Sequence, residues 1–255
     1  AGCGSTAMSA PGIPAWWPHS AWSQRLRSGR TDWHVQVLGE GPQVLLLHGA
    51  GASGHSWRRL LPMLTGYRLL VPDLPGQGFS RVATGAELGI DAMADELTLL
   101  CTVQGWRPSA LIGHSAGAAL ALRLAEMLPN APRALCGVNA ALGPFEGIEG
   151  WLFPKLARAM AASPMVAHVM SRLAGQRARV ERLITGTGSR LDDEGYELYR
   201  QLVADPSHLA GTLSMMAAWD LEAMLARLQQ TVPPVLLIAA TGDRAVPPQV
   251  SRVAA

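Results

Sequence analysis

The sequence predicts an α/β architecture, with a mostly parallel central sheet, helices on both faces and a helical cap inserted above it. Three observations lead there. Short apolar runs recur at 44–47, 67–72, 109–112, 134–139 and 235–240, and each opens into a loop rich in Gly, Pro, Ser or Asp. The alternation of strand and helix signals stops between 143 and 218, where helical stretches rich in Met and aromatic residues run without a strand. A chain of 255 residues with 49% hydrophobic content can bury one large core. These signals divide the chain into an N-terminal extension (1–30), a first part of the core (31–142), the cap (143–218) and a second part of the core (219–255).

The run 44–47 ends in His48-Gly49-Ala50-Gly51-Ala52-Ser53, after which Trp57, Leu60, Leu61 and Leu64 mark a helical face. The next run, 67–72, leads into Asp73-Leu74-Pro75-Gly76-Gln77-Gly78-Phe79-Ser80. The run 109–112 meets Gly113-His114-Ser115-Ala116-Gly117 and then the helical Ala118-Ala119-Leu120-Ala121-Leu122. A G-x-S-x-G string by itself is weak evidence. Placed between a strand and a helix, it describes a sharp turn that strains the serine backbone and lifts its hydroxyl to the carboxyl edge of the sheet. Ser115 is therefore the candidate nucleophile, and the α/β-hydrolase fold is the expected form of the architecture.

In that fold, backbone amides stabilise the oxyanion, one from the residue after the nucleophile and one from the loop after the first parallel strand. These are the N–H groups of Ala116 and Ala50. Each such donor lowers an acyl-transfer barrier by about 2.7–4 kcal/mol, because the charge it meets exists only in the tetrahedral intermediate. Asp73 precedes the serine, whereas the hydrolase order is Ser, acid, His, so Asp73 reads as a loop brace. Asp243, in the loop after 235–240, is the expected acid. The base should follow it, and none of the seven histidines (His19, His34, His48, His55, His114, His168, His208) does. The chain stops at Ala255 inside a helical pattern, and its first methionine is Met8. A further strand and helix of roughly 20–30 residues, carrying the histidine, are expected beyond it. Among the histidines present, His114 should point away from its neighbour Ser115 and His48 reads as structural, which leaves His55, His168 and His208 as substitutes.

The expected substrate-binding residues are Gly51 and His114 beside the nucleophile, Trp57 after the oxyanion loop, and Met215, Met216 and Trp219 in and near the cap. Met160, Met165, Met170, Phe145, Trp151 and Phe153 extend that apolar set, since thioethers adapt to irregular ligands. Many of these serve packing alone. Net charge is +2 with 16% charged residues, and no basic stripe suggests nucleic acid. No apolar run approaches 18 residues and no signal-like start is present, so a transmembrane segment is not expected and the cytoplasm is the expected location. Cys3, Cys101 and Cys136 are odd in number and lack metal-ligand spacing, so reduced thiols are expected. No metal and no cofactor is called for by this chemistry.

Several strings resemble one family in particular. They are His48-Gly49-Ala50-Gly51-Ala52-Ser53-Gly54-His55-Ser56-Trp57, Pro72-Asp73-Leu74-Pro75-Gly76, the elbow, Asn139-Ala140-Ala141-Leu142, Gly186-Thr187-Gly188-Ser189-Arg190-Leu191-Asp192 and Met215-Met216-Ala217-Ala218-Trp219-Asp220-Leu221. Together they resemble the magnesium-chelatase accessory proteins of bacteriochlorophyll synthesis, which are α/β-hydrolases. The two cap strings are more particular to that family than the others. The resemblance implies a role in the magnesium branch of tetrapyrrole synthesis, with a small apolar or tetrapyrrole-like substrate and magnesium chelatase as a partner. Three readings follow: a serine hydrolase of an ester or related acyl bond, a non-catalytic tetrapyrrole- or chelatase-binding accessory protein, or a carbon–carbon bond hydrolase or haloperoxidase-like member of the fold. A serine at the elbow argues against a haloalkane dehalogenase or epoxide hydrolase, which attack through a carboxylate.

Overall fold

A computed structural model describes residues 12–143, 155, 159–160, 163–226 and 233–255. The strands are β1 (Ser23–Ser28), β2 (Thr31–Leu38), β3 (Gln43–Leu47), β4 (Arg68–Pro72), β5 (Arg81–Val82), β6 (Ala110–His114), β7 (Ala134–Val138) and β8 (Val235–Ile238). They form one sheet in the order β1-β2-β4-β3-β6-β7-β8, with β5 against β2. Every pair from β4 to β8 is parallel, and β1, β2 and β5 make the antiparallel end. The helices are α1 (Ile90–Val103), α2 (Ala116–Met127), α3 (Pro164–Ala174), α4 (Arg177–Gly186), α5 (Asp193–Val203), α6 (Pro206–Ala217), α7 (Glu222–Leu225) and α8 (Pro248–Ala254).

The continuous apolar runs of β3 and β4 reflect a sheet covered on both faces. Successive side chains point opposite ways. Leu45, Leu47 and Leu70 join α1 and α2 in one core, while Val44, Leu46, Leu69 and Val71 pack with Trp57 and Leu61 in another. Helix α2 is buried on nearly every side, which its Ala-rich sequence permits.

Two expectations need correction. The stretch read as an extension contains β1, which pairs with β2 from Ser23 to Ser28. Its sequence, SQRLRS, has one apolar residue and so gave no strand signal. The helix expected over 57–64 is a pair of short 3₁₀ turns, Gly54–Trp57 and Leu61–Met63. Pro62 has no N–H for the carbonyl of Arg58, four residues earlier. The ring of His19 takes that carbonyl instead, Nε2 lying 2.9 Å away.

Between 163 and 217 the described residues form helices α3 to α6 joined by short loops, with no strand among them. Phe145, Trp151, Phe153 and Cys3 lie outside the described residues. Cys101 and Cys136 are free thiols. No helix among the described residues is long and apolar enough to cross a membrane. Strand β3 lies between β4 and β6, so the chain leaves β3 toward one side and β6 extends the sheet on the other. The crevice at the carboxyl ends of β3 and β6 is thus a topological switch point, where open α/β sheets place their sites.

Candidate active site

Ser115 ends β6 and opens α2 with φ 53° and ψ −120°, a conformation costing about 1–3 kcal/mol for a side-chain-bearing residue. Its surroundings hold it there. The Ser115 N–H donates to Val138 O at 2.9 Å, and its carbonyl accepts from Ala118 N–H at 3.0 Å and Ala141 N–H at 3.2 Å. The flanking glycines are required by close approach. A Cβ at Gly113 would lie 2.4 Å from Ala118 Cα, and one at Gly117 would lie 2.3 Å from Leu47 O.

The loop after β3 comes up beside this serine. A Cβ at Gly49 would lie 3.1 Å from Ser115 Cβ and 3.0 Å from His114 Nδ1. Neither Ala50 N–H nor Ala116 N–H donates to any group among the described residues, whereas the neighbouring amides of Gly51, Ala52 and Gly54 all do. Two amides without partners next to a strained serine fit the arrangement expected of an oxyanion hole.

Asp243 leaves β8, which runs parallel to β6, so both residues lie at the same sheet edge. Its Oδ1 accepts from Ala245 N–H at 2.8 Å and Val246 N–H at 2.9 Å. Asn139, at the end of β7 with φ 45°, fastens this edge: its N–H donates to Ile238 O at 2.7 Å and its Oδ1 accepts from Ala240 N–H at 2.7 Å. His114 is half-buried. Burial depresses its imidazole below the ordinary value, while the charge of Asp243 pushes it back up.

Asp73 behaves as the brace expected. Its Oδ1 accepts from Gly54 N–H at 2.7 Å, and its Oδ2 from Phe79 N–H at 2.8 Å and from the His34 ring at 2.8 Å. The remaining histidines have evident tasks or places. Leu74 N–H donates to His48 Nε2 at 2.9 Å, so the His48 proton sits on Nδ1 and goes to Gly49 O at 2.8 Å. His168 is exposed on α3. His55, a suggested substitute base, is walled in by Trp17 and Tyr199, its Nδ1 on Ser53 Oγ at 2.7 Å. Burial, partly countered by Asp73, lowers it to about 3. His208, also suggested, accepts from Gly78 N–H at 2.8 Å through Nδ1. Ser115 Oγ has no hydrogen bond to any of them among the described residues.

Part of the expected substrate-binding set lies elsewhere. Trp57 belongs to the core beneath β3 and β4, because that sheet face needs an apolar cover. Met215 is 1% exposed in the main core, with its sulfur accepting from Gln77 Nε2. Trp219 packs against the same core. Met216 is half-buried, Met160 is buried against α3 and α6, and Met165 faces solvent. A shallow cavity of about 250 Å³ between 81–88 and the start of α6 includes none of the expected site residues.

Among the described residues, the cap touches the loops of this edge at several places. Arg58 and Arg59 both pair with Asp192, the N-cap of α5. Arg244 N–H, next to Asp243, donates to Thr187 O at 2.9 Å. Helix α6 meets the loop after β4 through His208 and Gly211, and a Cβ at Gly211 would lie 2.0 Å from Gly76 O. Gln77 escaped sequence reasoning, although it stands in the loop already singled out around Asp73; its amide bonds Gly51 N–H at 2.8 Å.

Comparison with known proteins agrees with this geometry. The family model for the alpha/beta hydrolase fold matches residues 42–255. The chain is 45% identical over 251 residues to the magnesium-chelatase 30 kDa subunit of Rhodobacter capsulatus, covering 97% of this chain and 88% of that one. It is 36% identical over 180 residues to lipase LipV of Mycobacterium tuberculosis, covering 69% of this chain and 64% of that one. An α/β hydrolase fold protein from Burkholderia ambifaria superposes with a TM-score of 0.74 at 23% identity, over 91% of this chain and 85% of the other, and speaks for the fold. The elbow, the switch-point crevice and these matches together place the chain in the α/β-hydrolase family, alongside the magnesium-chelatase 30 kDa subunit.

Proposed function

We propose that this protein is a serine hydrolase cleaving an ester or related acyl bond, with Ser115 as nucleophile and the amides of Ala50 and Ala116 as oxyanion donors. The observation that carries the reading is a strained serine beside two amides that donate to no group among the described residues. Ser115 Oγ attacks the acyl carbon and its proton passes to an imidazole; the oxyanion forms against the two amides. The imidazole then protonates the departing alcohol, and water hydrolyses the acyl-serine by the same route in reverse. Asp243 orients the imidazole through Oδ2, the oxygen that its own loop leaves open.

We assign the imidazole to a histidine that a further strand beside β8 would carry. In support, Val235, Leu236 and Ile238 of β8 are 37%, 59% and 48% exposed, an apolar surface that such a strand and its helix would cover. The substrate is small and apolar or tetrapyrrole-like, bound beneath the cap near Gly51, His114 and Met216, and the protein acts beside magnesium chelatase in tetrapyrrole synthesis. Kinship with the Rhodobacter capsulatus subunit and with a lipase supports that pairing of context and chemistry.

A non-catalytic binding role is the second reading, favoured by the lack of any imidazole on Ser115 Oγ among the described residues. A fluorophosphonate probe and p-nitrophenyl acetate separate the two. The chain extended through the added strand and histidine should label and turn over, and Ser115→Ala should abolish both. The 255-residue chain should be slower by on the order of 10⁶, the cost of losing a triad base. An extended, folded protein that neither labels nor turns over would establish the binding role.

A further inference from the structure

Gly51 is held through its backbone N–H, which donates to Gln77 Oε1 at 2.8 Å. Gln77 is itself fastened to cap helix α6, its Nε2 donating to Met215 Sδ at 2.9 Å, and the next residue, Gly78, donates its N–H to His208 Nδ1 at 2.8 Å. The holder of Gly51 thus comes from the loop after β4, and α6 fixes that loop. Gly51 has φ +74°, so the turn it makes is open to glycine and would relax readily without such restraint.

The neighbouring peptide is tied as well. Gly49 O accepts from His48 Nδ1 at 2.8 Å and from Ala52 N–H at 3.2 Å. Both peptide planes that flank Ala50 are thus anchored, one through Gly49 O and one through Gly51 N–H, while Ala50 N–H bonds nothing among the described residues. Preorganisation of this kind is what makes an oxyanion donor effective, because the amide needs no reorientation when charge develops.

We propose that Gln77, through Gly51, and His208, through the loop that carries Gln77, are positioning residues that aim the Ala50 amide, so that cap helix α6 completes the oxyanion hole as well as covering it. This inference rests on the serine-hydrolase reading. It makes the hole sensitive to how α6 seats. The backbone contact of Gly211 with Gly76 sets that seating, since a Cβ there would meet Gly76 O at 2.0 Å.

The test uses Gln77→Ala, Gln77→Glu and Gly211→Ala in the extended protein, with amide hydrogen exchange at Gly51 by NMR, kinetics on p-nitrophenyl acetate, and circular dichroism to confirm folding. Gln77→Ala should speed Gly51 exchange about tenfold or more and lower kcat about tenfold to a hundredfold with KM within about twofold, since the lost interaction belongs to the transition state. Gln77→Glu keeps an acceptor for Gly51 N–H and should restore most of both. Gly211→Ala touches no reacting atom and should resemble Gln77→Ala. Unchanged Gly51 exchange in Gln77→Ala overturns the proposal, as does faster exchange with unchanged kcat. If the parent protein shows no Ser115-dependent turnover, it is the hydrolase reading that fails, and the clamp is then judged by Gly51 exchange alone.

Discussion

Asp73 and Asp243 both follow strands of the parallel sheet and both sit at its carboxyl edge, yet their carboxylates meet different surroundings. Asp73 is wholly buried, with Oδ1 on Gly54 N–H and Oδ2 shared by Phe79 N–H and His34. Burial alone would raise its pKa, but the charge and hydrogen bond of His34, the charge of His48 and the Gly54 amide hold it well below the usual carboxylate range. Asp243 is half-buried and commits only Oδ1, to amides of its own loop. A saturated carboxylate stiffens the loops it joins. One with an oxygen to spare can orient another group, and the order of the triad in this fold selects the later one.

The sharpest way to break this comparison is to neutralise each acid in turn. Asp243→Asn in the extended protein should lower p-nitrophenyl acetate turnover by about 10⁴, the loss seen when a triad acid can no longer hold its imidazole, while the urea midpoint stays put. If Asp73→Asn in a folded protein produced that loss and Asp243→Asn did not, the two roles would have to be exchanged.

Next in size is stability. Asp73→Ala leaves His34 and the amides of Gly54 and Phe79 buried without their acceptor, and should cost about 3–5 kcal/mol in urea denaturation. Trp57→Ala tests the correction made to the substrate-binding set. It should cost about 3–5 kcal/mol as a core cavity, with kcat and KM of the surviving folded protein unchanged.

Acid titration sharpens the contrast further. Because the folded pKa of Asp73 is depressed, the unfolded chain binds the extra proton, so its stabilising contribution is complete above about pH 4 and disappears as pH falls through the lower folded value. Buried His55 and His208 act in the same direction at higher pH. Desolvation holds them at about 3 and about 4, so below about pH 6.5 only the unfolded rings take up protons. Each should remove about 2 kcal/mol of stability between pH 7 and pH 5. Urea midpoints across that interval should fall less steeply in His55→Phe, and an unchanged slope would show that this ring protonates in the folded state. The smallest effect is expected at half-buried Met216, where Met216→Ala should shift KM for apolar esters about threefold with kcat held.

Much of the sheet edge was legible from residues alone. Gly113 and Gly117 announced the elbow because only glycine tolerates the approach of α2 to β6 and β3, and Ser115 was the residue they isolated. Asp73 and Asp243 were separable by their order along the chain. Strand β1 was not legible, since SQRLRS reads as a polar loop until β2 supplies its hydrogen-bond partners. Trp57 and Met215 were misread for a related reason. An apolar residue near a cleft has the same sequence signature whether it meets a ligand or the underside of a sheet, and only the packing of β3, β4 and α6 distinguishes them.

The sequence by itself determined the parallel strands and their loops, the candidate nucleophile, the candidate pair of oxyanion amides and the class of fold, because each follows from local backbone demands: strained turns, buried runs and glycine where no Cβ fits. Tertiary structure decided which side chains serve the core, how Gln77 grips Gly51 while His208 holds Gly78, and which aspartate keeps an oxygen open. Those outcomes depend on residues far apart in the chain meeting at one sheet edge, where hydrogen-bond partners are assigned by position in space and not by spacing in sequence.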